Sequence, residues 1–367
     1  MYKKQHYVPK FLLRKFSRSG ADINLLALRT NSRILGASLK TQCYRDHYYG
    51  KDGSIEKGFS EMEAATSAVL GELSEDHLEG LSDEDLRVLL YFTHYQSLRT
   101  VGAEVEIKDM MRGVLMELLK TSPKISAEDI EGVGIEINTS TAETLILAAK
   151  TLPVLFDLKF KFLINPHELQ FVISDNPVAF YNQFAENTKA FSYIQGATGL
   201  AAKGLQIFLP LSPRVQMALY DPATYQYGSP RKLTCGVSAK DVALLNRLQI
   251  IGADDCVYFL GELSTDKASE MIGIHEAWAS SMAPVARTIN IVKDGKMGKG
   301  IQTVRESIKI GAKFSFAQVI DTEKYAGYEM GTLPVRSQEL IDLAQGYGEF
   351  LDEKVEEKKR DRADDDS

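Results

Sequence analysis

The spacing of apolar residues predicts long helices in the first half of the chain. Apolar positions recur every three to four residues over residues 59–73 and 84–120, which is typical of amphipathic helices. Ser60 stands three residues before Glu63, as in a capping box, and Ser82 is a suitable N-cap for the second segment. The second run fits either one bent helix or two consecutive helices.

From residue 158 onwards the pattern changes to that of strands. The segments LKFKFLIN and LQFVIS flank Pro166, His167 and Glu168, which predicts a hairpin, and residues 205–212 and 215–221 predict two further strands. Strands in hairpin-like succession favour an antiparallel or mixed sheet over a doubly wound one. The predicted fold class is α+β, with a helical N-terminal half and a mixed or antiparallel sheet in the C-terminal half.

The same patterns divide the chain into four parts. The end is rich in charge, because LDEKVEEKKRDRADDDS has five basic and eight acidic residues and almost no apolar ones. Such a segment cannot bury a core, so it is expected to be flexible. The predicted parts are a mainly helical part over 1–157, an α/β part with hairpin strands over 158–300, a C-terminal helical extension over 301–350 and a charged flexible tail over 351–367.

Charge, cysteine count and hydropathy argue against several classes of protein. A formal net charge of −7 argues against a surface that is basic throughout, but it leaves room for a local basic groove. Cys43, Cys235 and Cys256 lie far apart without metal-ligand spacing, so we expect neither structural zinc nor disulfides. The N-terminus has no apolar signal-peptide core, and no apolar run is long enough to span a membrane, so a cytoplasmic protein is expected.

Four blocks of the sequence resemble a known family. They are the opening KQHYVPKFLLRKFS, Tyr95-Gln96 with Arg99, the segment FVISDNPV, and LPLSP followed by ALLNRL around Asn246. On these blocks, from residue 5 to about 260, the chain is similar to the bacterial domain-of-unknown-function family 4238. The resemblance implies a bacterial protein. Some relatives are associated with phage defence or toxicity, but the family name carries no activity.

The opening block supplies the first candidate residues. His6 lies in a cationic setting, where a histidine can act as general acid or base with a lowered pKa. Arg14 can hold a phosphate through a two-pronged contact, and Tyr7 is a further substrate-binding candidate. In the alternative interpretation, His6 and Tyr7 only anchor the N-terminus through buried hydrogen bonds.

The later blocks supply polar residues that could share one pocket with His6. Asp175 and Asn176 follow a strand-like run, where a carboxylate can be presented by a loop, although Asp-Asn-Pro is also a turn signal. Gln96 and Arg99 are three apart and share a helix face, whereas His94 points elsewhere and is expected at the surface. A further candidate is Asn246, an amide on an otherwise apolar helix face. For Gln96, Arg99 and Asn246 a structural hydrogen-bond network is the alternative.

The leading functional hypothesis is an enzyme that acts on a phosphodiester or a nucleotide, such as an RNA-directed nuclease. His6, Asp175 and Arg99 would be catalytic, and the ribose 2′-hydroxyl would serve as the nucleophile in a route without metal. Glu63 and Asp175 are a weaker candidate pair for Mg²⁺, and Glu56, seven residues before Glu63 and on the same helix face, could join them. The alternatives are a sensor that binds a nucleotide or small ligand without turnover, and a structural adaptor. The sequence leaves the oligomeric state open.

Overall fold

The computed structural model describes residues 4–50, 53–122, 135–137, 141–187, 197–279, 284–293, 296–305, 309–321 and 334–365. Within these residues, helices are concentrated in the N-terminal half, and the C-terminal half contributes a mixed sheet and antiparallel strands. The predicted α+β fold class is therefore confirmed. In the described part of the chain, no helix is long and apolar enough to cross a membrane.

The secondary-structure elements are numbered along the described chain. The helices are α1 (Lys10–Arg14), α2 (Ser54–Leu70), α3 (Glu75–Glu79), α4 (Asp83–Leu98), α5 (Val101–Thr121), α6 (Thr141–Thr151), α7 (Gln183–Glu186), α8 (Ala239–Gly252), α9 (Thr265–Ala279) and α10 (Gln338–Asp365). The strands are β1 (Lys4–His6), β2 (Asp22–Ala27), β3 (Ser32–Ser38), β4 (Tyr44–Asp46), β5 (Lys159–Ile164), β6 (Ile173–Ser174), β7 (Ala179–Tyr181), β8 (Gln206–Pro210), β9 (Val215–Tyr220), β10 (Tyr225–Tyr227), β11 (Thr234–Gly236), β12 (Cys256–Phe259), β13 (Pro284–Lys293), β14 (Lys296–Arg305) and β15 (Ala317–Val319).

A five-stranded sheet in the order β11-β5-β9-β8-β7 forms the centre of the C-terminal half. Only the β11–β5 pair is parallel. Every residue of the central strand β9 is buried, and its side chains alternate between two core clusters, with Met217 on one side and Ala218 on the other. Because both faces are covered, this strand has the apolar run of a fully buried strand.

A second sheet joins the two halves of the chain. Its order is β3-β2-β12-β6, all antiparallel, so the β2–β12 pair joins two N-terminal strands to two strands of the C-terminal half. One core cluster brings Leu26 and Val257 of this sheet together with Ile250 of α8 and Met271 of α9. The N-terminal strands are thus part of the same packed body as α8 and α9.

The predicted hairpin of LKFKFLIN and LQFVIS is wrong. The first segment forms β5, whose two edges are taken by β9 and β11, whereas the second contains β6, which pairs with β12 in the other sheet. Asn165 turns the chain between them, because its side-chain amide donates to the Leu169 carbonyl at 2.7 Å. Strand propensity identified both segments, but the pairing partners come from distant parts of the chain.

Three helix starts lie near the candidate residues. Helix α2 begins at Ser54 after Gly53, whose φ of 77° lies in the left-handed region, so the capping box predicted at Ser60 is wrong. Ser82 is the N-cap of α4, as predicted. The run over 84–120 is two helices, because Thr100 accepts the Ala103 N–H and starts α5.

The C-terminal helix α10 continues to Asp365 and covers most of the segment predicted as a flexible tail. It is tied to the body at Arg336, whose guanidinium donates to the Asp157 carboxylate and to the carbonyls of Val154, Leu200 and Ala202. The predicted division of the chain into four parts stays a prediction.

Candidate functional site

The opening signature folds as an anchor for the N-terminus. Val8, Leu12, Leu13 and Phe16 are fully buried on one side of α1, and the Tyr7 N–H donates to the Cys43 carbonyl at 2.9 Å. The apolar positions of HYVPKFLLRKF therefore pack into the core. Its polar side chains lie in two places, since His6 ends β1, which pairs with β4 as a two-stranded ribbon, and Arg14 is exposed at the end of α1.

A group of polar side chains surrounds the end of α4, and we call it the Arg99 cluster: Tyr49, Glu56, Glu63, Gln96 and Arg99. Arg99 Nε donates to Gln96 Oε1, and Arg99 Nη1 donates to Glu63 Oε1, both at 2.8 Å. Gln96 Nε2 in turn donates to the Tyr7 carbonyl at 2.9 Å. The spacing along α2 explains the other side of the cluster, since residues 56, 59 and 63 share one helix face.

Arg99 lies in the interior of the protein beside a carboxylate that is partly exposed. Its side chain is fully buried and lies over the Phe59 ring, with Cζ 4.5 Å from the ring centre, whereas the Glu63 side chain is 26% exposed. Arg99 Nη2 is buried and has no hydrogen-bond partner in the described part of the chain. A buried donor without an acceptor costs about 1–3 kcal/mol. This nitrogen is therefore the unsatisfied point of the cluster.

Two neighbouring titratable groups have shifted pKa values. Burial raises the pKa of Glu56, the nearby Glu63 carboxylate raises it further, and Arg99 and Lys10 oppose the shift. Burial lowers the pKa of His6 to about 4, and Lys10 and Lys4 lower it further. His6 is therefore neutral near pH 7, with Nδ1 2.9 Å from the Gln42 carbonyl.

A second group of polar residues closes the turn after β6, and we call it the Asp175 clamp: Ser174, Asp175 and Asn176. Asp175 Oδ1 accepts the Asp254 N–H at 2.8 Å, and Oδ2 accepts the N–H groups of Asp255 and Cys256 at 2.9 Å. Burial raises the pKa of Asp175 to about 7, against the opposing effect of these three donors. The carboxylate thus holds the turn before β12.

Asn176 connects the Asp175 clamp to the helix junction beside Arg99. Its Oδ1 accepts from the Thr100 hydroxyl at 2.8 Å, and its Nδ2 donates to the Gly252 carbonyl at the end of α8 at 3.0 Å. The side chain therefore uses both its donor and its acceptor within the protein.

Asn246 forms a clamp of its own. Its Oδ1 accepts the Val172 N–H at 3.0 Å, and its Nδ2 donates to the Gln170 carbonyl at 2.8 Å, which holds this segment against α8. Asn246 also lines a surface groove of about 1050 Å³ between α8, α9 and residues 259–265, and no member of the Arg99 cluster lines that groove. The groove and the Arg99 cluster are therefore different places in the molecule.

The comparison with known families bears on these same residues. A family of proteins of unknown function, DUF4238, matches residues 4–262. The chain belongs to the DUF4238 family. The matched range contains the Arg99 cluster, the Asp175 clamp and Asn246. Comparison with curated proteins and with solved structures found no match.

The DUF4238 range brings together some of the predicted site residues but not all of them. Hydrogen bonds link Tyr7, Gln96 and Arg99, and Thr100 joins Asn176 to the same helix junction. Arg14 is exposed at the end of α1 and forms no ion pair with the part of the chain that is described. The proposed roles of these residues in substrate binding or catalysis stay predictions.

Two features of this DUF4238 chain differ from the sequence-based interpretation. The surface position expected for His94 is wrong, because its ring is buried and Nε2 lies 2.9 Å from the Ala148 carbonyl. The sequence patterns do not single out Thr100 as a member of a site. The one signal for Thr100 was local, since a threonine three residues before Ala103 is a suitable N-cap.

The described residues include no group of three or more His, Cys, Asp or Glu side chains that could hold a metal ion. Glu63 is paired with Arg99, and both Asp175 oxygens accept backbone N–H groups. These contacts do not fit the use of Glu63 and Asp175 as ligands for Mg²⁺, since a cation would have to replace the donors.

Proposed function

We propose that this protein acts on a phosphodiester or a nucleotide at the Arg99 cluster, with RNA as the favoured substrate. The observation that carries the proposal is the buried Arg99 Nη2, which has no acceptor within the ranges that the structure describes. A guanidinium nitrogen is suited to phosphate oxygens because it is a positively charged hydrogen-bond donor. Gln96 and Glu63 hold the other nitrogens, so the free one has a defined position.

The neighbouring groups suit proton transfer in RNA cleavage. Neutral His6 would accept the proton of the 2′-hydroxyl as that oxygen attacks phosphorus. The bond from phosphorus to the 5′-oxygen would break, and the leaving oxygen would take the proton of Glu56, whose raised pKa favours the protonated form. The products would be a 2′,3′-cyclic phosphate and a 5′-hydroxyl. Arg99 would stabilise the charge that develops on the phosphoryl oxygens.

A second candidate function is binding without turnover, in which the protein acts as a sensor. Two contacts favour it: His6 Nδ1 faces the Gln42 carbonyl, and Asp175 is occupied by three backbone N–H groups. Both residues then serve to hold the fold, and Arg99 alone would recognise the ligand. A structural adaptor, the third alternative, would respond to no ligand.

The test uses variants of two glutamates on α2. Glu56→Gln removes the proposed proton donor, and Glu61→Gln is its control, because Glu61 is exposed on the same helix. End-labelled RNA and DNA are incubated with each protein, with and without Mg²⁺, and thermal shifts are measured with nucleotides. Cleavage of RNA to cyclic-phosphate ends that is lost only in Glu56→Gln supports the enzyme.

The other outcomes separate the alternatives. Stabilisation of the wild-type protein by a nucleotide that is recovered unchanged supports the sensor instead. If no RNA is cut and no nucleotide shifts the melting temperature, the proposal is overturned. The phage-defence or toxin role rests on the resemblance, and it predicts that expression lowers plaque counts or growth and that Glu56→Gln abolishes this effect.

A further inference from the structure

Charge is distributed very unevenly along this chain. Residues 1–50 contain ten Lys or Arg and only two acidic residues, Asp22 and Asp46, which is a net charge of +8. The whole chain has a net charge of −7, so residues 51–367 carry −15. The overall acidity therefore hides a strongly basic segment, and such an asymmetry is typical of a contact with a polyanion.

Several of these basic side chains are exposed in the folded protein. Lys4, Arg14, Arg18, Lys40 and Arg45 are exposed, and none of them forms an ion pair with the described residues. Two carboxylates lie near the ribbon cations, since Asp46 stands opposite Lys4 in the β1–β4 pairing and Glu104 acts electrostatically on Arg45. The ten basic residues of the segment outnumber its two acidic ones, so the segment keeps a positive potential.

Aromatic rings lie beside the cations on the β1–β4 ribbon. Lys4 Nζ lies 4.4 Å from the centre of the Tyr44 ring, and the His6 ring lies 5.8 Å from it. On the next residues, Arg45 Cζ is 5.8 Å from the centre of the Tyr48 ring. Tyr44 and Tyr48 are only partly buried. Rings that alternate with cations can stack bases while the cations contact phosphates.

The ribbon is also connected to the Arg99 cluster. His6 is the last residue of β1, and Lys10 acts electrostatically on both His6 and Glu56. A strand of nucleotides that crosses Tyr44 and His6 would therefore lie on the side of the protein where Lys10 acts on Glu56.

We propose that the β1–β4 ribbon is a binding surface for single-stranded nucleic acid, with Tyr44 as the stacking platform and Lys4 and Arg45 as phosphate contacts. A single strand fits because its bases are free to stack on a ring, whereas the bases of a duplex are not. That the bound strand is delivered to the Arg99 cluster rests on the proposed function. The binding itself does not.

The experiment measures the anisotropy of labelled 12-nucleotide RNA and DNA single strands, and of an RNA duplex, against protein concentration and salt. The double variant Lys4→Gln/Arg45→Gln should lower the slope of log affinity against log salt by about 1.4, since each phosphate contact contributes about 0.7. The control Lys120→Gln/Lys240→Gln removes two exposed lysines elsewhere and should leave the slope unchanged. Comparison of the affinities for the RNA and DNA strands shows whether the protein distinguishes ribose from deoxyribose.

Stacking is tested separately. Tyr44→Leu should weaken single-strand binding about tenfold, and Tyr44→Phe should restore it, because the ring rather than the hydroxyl carries the contact. The inference is overturned if the wild-type protein binds no single strand at low salt. It is also overturned if heparin or the duplex binds equally well, or if the control double variant weakens binding as much as the ribbon variant does.

These results are independent of the proposed function. If Glu56→Gln abolishes cleavage or nucleotide binding while the ribbon variants bind RNA normally, the proposed function holds and the ribbon inference fails. If the ribbon variants lose RNA binding but the Glu56 and Glu61 variants behave alike with every ligand, the ribbon inference holds and the proposed function fails.

Discussion

Asp175 and Arg99 are both ionisable, both buried and both in signature blocks, but their hydrogen bonding differs. Asp175 is surrounded by three backbone N–H groups, so its acceptors are used by the turn that it closes. Arg99 has side-chain partners on two of its nitrogens and none on the third among the described residues, and its partner Glu63 reaches solvent.

The comparison separates a fold determinant from a candidate site. A buried charge whose hydrogen bonds all end on the backbone is matched by its own fold, and further ligands would compete with those bonds. A buried charged group that still has an unbonded donor, beside a partly exposed carboxylate, can bind an acceptor from outside the protein. The clamp should therefore control stability, and the Arg99 cluster should control the response to ligands.

The largest expected effect is on stability at the Asp175 clamp. Asp175→Ala leaves three partly buried N–H groups without their acceptor and should lower the free energy of unfolding by about 4 kcal/mol at pH 5. Urea unfolding followed by circular dichroism measures this loss. Asp266→Ala, in the exposed first turn of α9, is the control and should cost less than about 1 kcal/mol. Equal losses in the two variants would contradict the role of the clamp.

The pH dependence of stability is a second measurement on the Asp175 clamp. Burial raises the pKa of Asp175 to about 7 in the folded protein, from an ordinary value of 3.8. Between these values the folded chain keeps a proton that the unfolded chain has released, so the free energy of unfolding falls as pH rises from about 4 to 7. The slope is at most about 1.4 kcal/mol per pH unit.

Asp175→Ala lacks this titrating group. The difference in free energy of unfolding between the wild-type protein and this variant therefore reports the titration of Asp175 alone. The stability advantage of the wild type should shrink with rising pH across that window, as measured by urea unfolding at half-unit steps. An advantage that grows with pH would mean that the three N–H donors outweigh burial and hold the pKa of Asp175 below its ordinary value.

The smallest effect on stability is expected at the Arg99 cluster, where the effect on ligands should be largest. Glu63→Gln keeps an acceptor for Arg99 Nη1 and should cost only about 1 kcal/mol. It changes the charge beside the unsatisfied nitrogen, so any nucleotide-induced thermal shift should change strongly. Glu61→Gln should alter neither quantity. If Glu63→Gln lowers stability by as much as Asp175→Ala and leaves the thermal shift intact, the two regions do not differ as described.

Local patterns predicted much of the secondary structure. The helices around residues 59–73 and 84–120 and the strands at 205–212 and 215–221 follow from periodicity, turns and caps. The boundary at Gly53 was missed because a glycine in a left-handed conformation replaced the usual serine or threonine cap. Sheet partners were not predictable in the same way, because β5 and β6 both have apolar runs that fit several neighbours.

The sequence by itself determined that this is an α+β protein, that its signature blocks belong to one family, and which polar residues within them are unusual. Only the tertiary structure decided that the side chains of Asp175 and Asn246 bind backbone groups. It likewise decided that Arg99 Nη2 has no acceptor in the described part of the chain. The reason is physical: a residue's polarity is a local property, but whether its hydrogen bonds are satisfied depends on groups that folding brings from 70 or more positions away.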